Sequence, residues 1–491
     1  MDRRGFLRSG AAALAAHGAD AARLAALGGG MLALPAAEAA GGYRALVAVM
    51  LYGGNDGLNT IVPLDSRYTA YQGVRGSLAL LNTADSARRR GPIVRLGDGG
   101  WGLHPRLEAL KPWYDTDQLA FLHNVGPLAR PTTRADYAAW RSLADPERLP
   151  EALFSHSDQQ KLWQNGVART EGSSIRATGW GGRAAERITA SSFSFAGNSR
   201  FGAGASGNAL NLPGPGANLR GTLSAWAPTS TWTPTRRISD ALVGMNAAPS
   251  SDPLFTTLAR LRTGAFAAVD RLGDILLATP SRAVSAYAAI DAAFTASYRT
   301  AEAATATAYS YSLGRQLYQV AKMIASRATV GGGRHIYFVQ MGGFDTHGDQ
   351  LSAHAELLSE LGIALAAFMK SMKTLALHKS VTAFTLSDFG RTFKPNSSGG
   401  TDHAWGNSQL ILGGAANGGA HYGSFPELAL GGANDVGINT WEYQGRWIPT
   451  TSVDQYGATL LRWLGAGEAD LAAVFPNLSR FATADLGFMS A

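Results

Sequence analysis

Two short stretches hold residues that could do chemistry together. In VQMGGFDTHGDQ, Val339 to Gln350, an apolar run ends in two glycines and then offers Asp345 and His347. A carboxylate and an imidazole can share a metal ion or pass a proton. Residues two apart in an extended chain point the same way, so this pair could face one ion, with mixed O/N ligation suited to Zn or Mn. In GGTDHAWG, Asp402 and His403 stand in a glycine-rich loop, and His403 is the candidate additional ligand. Asp56 in YGGNDG and Asp388 in LSDFGRT add carboxylates, the latter followed by Arg391.

The elements around these residues decide whether they can meet. Apolar runs at 45–51, 119–125, 335–341, 381–387 and 409–414 fit strands of a sheet covered on both faces. From Gln350 to Lys373, Leu351, His354, Leu358, Leu361, Leu365, Phe368 and Met372 recur at spacings of three and four, one apolar helical face. Strand, crossover helix and strand make a βαβ unit, so the expected fold is α/β, a mostly parallel sheet sandwiched by helices. Ligands in such sheets bind outside the carboxyl ends of the strands, which is where Asp56, Asp345 and Asp388 fall. Acids gathered at one rim repel unless a cation sits among them, or unless some are protonated or paired with bases such as Arg391. Each aspartate could instead cap a helix or turn.

A nucleophile candidate comes from PEALFSHSDQQ. Ser155 and His156 precede a helix start at Asp158 to Trp163, and a hydroxyl at a helix N-terminus has backbone donors nearby to hold an anion. With a metal lowering its pKa, Ser155 could attack phosphorus; Ser before Asp and Gln is equally an ordinary capping pattern. Arg183 in GWGGR, together with His104 and His123, reads as structural, and Trp226 and Trp232 beside prolines suggest a rigid surface loop.

The chain of 491 residues has 43 Lys plus Arg against 36 Asp plus Glu, spread out rather than clustered, which argues against a nucleic-acid partner. It has no cysteine, so disulfides, thiolate metal sites and a cysteine nucleophile are excluded. MDRRGFLRSG carries Arg3 and Arg4 before Phe6 and Leu7, then an Ala/Leu/Gly-rich segment and PAAEAAGG, where Ala37 and Ala39 fit a cleavage site. These features spell a twin-arginine signal over residues 1–39, with the twin-arginine translocase as a partner during export and a periplasmic or secreted destination. His17, Asp20 and Arg23 interrupt the apolar part, and no stable transmembrane segment is expected in the mature form. Residues 40–491 then form one α/β domain. Within it, 190–328, Gly/Pro-rich and then helical, is the expected cap or insertion.

In this order VMLYGGNDGLNTIVP, LFSHSDQQKLWQNG, GWGGR, QMGGFDTHGDQ, LSDFGRT and GGTDHAWG, behind a twin-arginine leader, resemble a family of exported bacterial proteins, the domain of unknown function numbered fifteen hundred and one, of the alkaline phosphatase and sulfatase superfamily. The resemblance covers nearly all of the mature chain and implies a two-metal geometry. Asp56 would be the first acid, Asp345 and His347 the second pair, Asp388 the acid of an Asp-His pair, and His403 the final histidine. Phe389 stands where the superfamily pattern has a histidine, so one metal position would be weak or empty. The gap between Asp345 and His347 is shorter than usual, leaving His354 as a lesser alternative. Ser155 lacks the C/S-x-P-x-R pattern of a formylglycine sulfatase. The expected function is an exported metal-dependent hydrolase acting on a small anionic ester. Its divalent ion, Zn, Mn, Mg or Ca, is held by Asp56, Asp345, His347, Asp388 and His403, with Ser155 and Arg391 as catalytic residues. The alternative is a catalytically silent relative that binds or assembles.

Overall fold

In β1 (Arg44–Leu51), Val47, Val49 and Leu51 enter one core while Leu46, Ala48 and Met50 enter another on the opposite face of the sheet. Apolar residues at every position, sorted at period two, are what a sheet buried on both faces requires. The computed structural model describes residues 42–84, 91–143, 148–167, 178–219, 230–279, 285–301 and 311–490. Arg3, Arg4, Ala37, Ala39 and Trp226 lie outside the described residues, and Trp232 is exposed.

The strands following β1 are β2 (Ile61–Pro63), β3 (Val94–Leu96), β4 (Trp101–Leu103), β5 (Leu119–Gly126), β6 (Ser191–Ser194), β7 (Leu210–Asn211), β8 (Arg334–Met341), β9 (Val381–Ser387), β10 (Asn407–Gly413), β11 (Ala420–Gly423) and β12 (Thr451–Ser452). Nine of them form one sheet in the order β11-β5-β10-β9-β1-β8-β6-β7, with β12 also on β5; β2, β4 and β3 form a small antiparallel sheet. Among the described residues every pairing in the large sheet is parallel except those of β10. The protein is therefore α/β with a mostly parallel, mixed sheet.

Helices cover both faces. α1 (His156–Asn165), α2 (Trp180–Arg187), α3 (Thr233–Ala247), α4 (Pro253–Leu277), α5 (Ala288–Ala301), α6 (Ser312–Ala325), α7 (Gln350–Thr374) and α8 (Val453–Leu464) are the main ones. Residues of α4 to α7 fill the core on one face, while Trp163, Trp180 and the apolar side of α8 fill the other. By length and composition α7 could cross a membrane, but His354, Leu358, Leu361, Leu365, Phe368 and Met372 are buried.

The stretch 190–328 departs from the expected cap. Its start supplies β6 and β7 to the sheet edge, and α4 to α6 supply much of one core, because Phe193, Leu210, Leu272 and Leu317 carry apolar bulk that only the main core can bury. By contrast α3 is largely exposed, with Ser239 its one buried residue.

Candidate metal centre at the carboxyl rim of the sheet

Leu51 is the register partner of both Met341 and Ser387, so the loops after β1, β8 and β9 leave the sheet at one level. The antiparallel β10 begins at that level, which brings the loop carrying His403 to the same rim. Close packing there depends on two glycines. Gly53 and Gly54 have φ of +110° and +81°, and a Cβ on them would lie 2.4 Å from the Asp345 nitrogen and 2.5 Å from the Phe389 ring.

Three imidazoles converge on one carboxylate oxygen. Asp345 Oδ1 lies 3.0 Å from His347 Nε2 and 3.3 Å from both His156 Nε2 and His403 Nε2. His347 Nε2 and His403 Nε2 are 2.9 Å apart, and the ligand atoms of His156, Asp345 and His403 all lie within 4.8 Å of one another. Asp345 and His347 are 46% and 44% exposed, so the cluster opens to solvent.

The outer ring nitrogens all meet acceptors. His156 Nδ1 donates to Asp388 Oδ2 at 2.8 Å, His347 Nδ1 to Asp402 Oδ1 at 3.1 Å, and His403 Nδ1 to the Phe154 carbonyl at 2.7 Å. A carbonyl or carboxylate can only accept, so each Nδ1 carries a proton and each Nε2 is the atom turned inward. His156 Nε2 is buried without a hydrogen-bond partner. Imidazoles oriented by outer carboxylates and a carbonyl, with Nε2 atoms facing one point, could hold a divalent metal. Atoms around a tetrahedral ion at roughly 2.0–2.1 Å stand about 3.3 Å apart, close to the four separations of 2.9 to 3.3 Å given above.

The local electrostatics follow from these contacts. The hydrogen bond to Asp388 raises the pKa of His156 above its ordinary value against the effect of burial, whereas burial lowers that of His403. Burial pushes the Asp345 carboxyl up, but the Arg391 bond at 2.5 Å and the neighbouring positive charges leave it below the usual range.

The other expected site residues sit differently. Asp56 is fully buried and gives both oxygens to Arg75, at 2.6 and 2.8 Å, with Gln350 on one of them; a carboxylate so paired is not part of the cluster. Asp388 stands behind the cluster, where Oδ2 accepts from Gly53 N, Gln160 Nε2 and His156. Arg391 is spent inside the protein, donating to the carbonyls of Gly53, Gly54, Phe344 and Thr401 besides Asp345. The Ser155 hydroxyl makes no cap bond and donates to Asp158 Oδ2 at 2.7 Å.

In that stretch the side chain that reaches the cluster is His156. The sequence alone gives this histidine no role, because its closeness to β8 and β10 is tertiary. Phe389 packs on the rings of His156 and His403 at 4.8 and 4.6 Å, so the ring expected after Asp388 is replaced as an imidazole source by one from α1. His354 lies apart, its Nε2 bonded to Asn55 Oδ1. His104, His123 and Arg183 make structural bonds, to Arg106 N, to Ser408 and His421, and to Thr178, Asn165 and Val474.

These features define a class: an α/β protein with a three-histidine, one-aspartate cluster at the carboxyl rim of a mostly parallel sheet. The chain belongs to the family described as "Protein of unknown function (DUF1501)", which matches residues 43–439. No curated protein matches it.

Proposed function

We propose that this protein is an exported, metal-dependent hydrolase of an anionic ester, a member of the alkaline phosphatase and sulfatase superfamily that reaches the periplasm through its twin-arginine leader. The observation that carries the reading is the convergence of the His156, His347 and His403 Nε2 atoms on Asp345 Oδ1. These four residues would hold the ion, in place of the wider set of acids that the resemblance implies. A bound divalent cation would polarise the ester and lower the pKa of a hydroxyl or water beside it. Asp388, Asp402 and the Phe154 carbonyl fix the three rings. Ser155, next to His156, is the candidate nucleophile, and its proton already points to Asp158. Bonds from Ser155 and then Lys161 hold the Asp158 carboxyl below its usual range, so it is ionised at neutral pH and accepts the Ser155 hydrogen bond.

The test is metal content of the mature protein followed by a screen of phosphomonoesters, phosphodiesters and sulfate esters. Turnover that disappears in His403→Ala and in Ser155→Ala supports this reading. A metal-free wild type ends it. Bound metal without turnover on any ester favours the second reading, a silent binding or assembly protein, which Phe389 and the Arg75-neutralised Asp56 support.

A further inference from the structure

We infer that Arg446 recognises the substrate at this site and that the group it recognises is a tetrahedral oxyanion of the phosphate or sulfate type; the inference rests on the metal-site reading above. An anionic ester needs a cation with donors to spare, and Arg391 has spent its own on four carbonyls and Asp345. Arg446 is different. Its Nε donates to the His403 carbonyl at 2.9 Å, its guanidinium lies 5.3 Å from the centre of the Phe154 ring, and its two Nη groups bond to none of the described residues.

Arg446 is held in place from several sides. Asp435, fully buried, accepts from the backbone nitrogens of Gly431, Gly437, Gly445 and Arg446 at 3.0 to 3.3 Å, pinning the loop. Phe154, on which the guanidinium rests, has φ of +74°, a conformation that a bulky residue keeps only when its surroundings enforce it. The Phe154 carbonyl is also the acceptor for His403 Nδ1. One side chain thus bridges the segment that delivers His156 and the loop that delivers His403. A planar guanidinium stacked on a ring and anchored through Nε presents its remaining nitrogens as a fixed fork, the geometry that matches two oxygens of an oxyanion. Arg446 lies beyond residues 43–439, so the family match assigns it nothing.

The experiment is calorimetric titration of the metal-loaded mature chain with inorganic phosphate and, separately, sulfate. Arg446→Ala should weaken the preferred anion about 10-fold or more, the scale of a lost charged hydrogen bond, while metal content stays at the wild-type level. Arg446→Lys keeps the charge but not the fork, and should recover only part of the affinity. Anion binding by Arg446→Ala equal to wild type, or wild type that binds neither anion, overturns the proposal. Should Arg446→Ala fold poorly or lose metal, Arg446→Lys decides, since wild-type anion affinity there overturns it and reduced affinity with metal retained supports it. A wild type without metal that still binds phosphate through Arg446 would end the metal reading and leave this one standing.

Discussion

His347 Nε2 lies 2.9 Å from His403 Nε2, while the Nδ1 of each ring meets an oxygen, that of Asp402 or of Phe154. Both nitrogens also face Asp345 Oδ1, at 3.0 and 3.3 Å. That oxygen carries negative charge, and Arg391 meets it from inside the protein. A cation bound between them would draw both nitrogens and the carboxylate to one point.

Metal binding should therefore stabilise the fold. A ligand that binds only the folded state at a hundredfold excess over its Kd contributes about 2.7 kcal/mol. We expect chelator to lower the Tm of the wild type and to change that of His403→Ala much less; identical melting of the wild type with and without chelator counts against the site.

Asp388 should tune the site without touching the ion. Asp388→Asn keeps the volume but weakens the acceptor that orients His156. Loss of such an outer partner costs about 10–100-fold in metal affinity. Competition with a chelator of known affinity measures it, and an unchanged value would place His156 outside the coordination sphere.

Asp56 should matter for stability alone. Removing one partner of a buried ion pair leaves an uncompensated charge, so Arg75→Met is expected to cost about 3–5 kcal/mol in denaturant unfolding. Adding Asp56→Asn should restore part of this, with metal content equal to the wild type in both. A metal-free Asp56→Asn, Arg75→Met protein would return Asp56 to the site.

Acid should destabilise the protein away from the rim as well. His335 at the start of β8 is held by burial at about 4, its Nε2 donating to the Gly331 carbonyl. With the folded pKa below the unfolded 6.5, the unfolded chain binds the extra proton, so stability is full above pH 6.5 and is lost as pH falls toward 4. The difference corresponds to roughly 3 kcal/mol. Denaturant midpoints at pH 7.5, 6 and 4.5 should fall in sequence, and His335→Gln should flatten the trend.

Export should depend on the leader. Changing Arg3 and Arg4 to Lys should leave precursor in the cytoplasm; processed periplasmic protein in wild-type amount would refute a twin-arginine route.

Much of this protein is legible in its sequence because the signals are local. Apolar runs at 45–51, 335–341 and 381–387 could be buried only in a covered sheet, and the period of Leu358, Leu361, Leu365 and Phe368 could be satisfied only by a helix on it. Since such strands end at one rim, the sequence puts Asp345, His347 and Asp388 near each other, and the antiparallel β10 brings His403 to them. The assignment of roles was not local. Asp56 and Asp388 look alike in sequence, each an acid just past a strand. Arg75, nineteen residues on, neutralises the first, whereas His156 and Gln160 from α1 turn the second into a support. Which imidazole fills the place that Phe389 leaves, and which arginine keeps donors to offer, depend on side chains that meet from distant parts of the chain. Only tertiary packing decides such contacts, because burial forces each charge and each lone pair to find its partner in space rather than along the sequence.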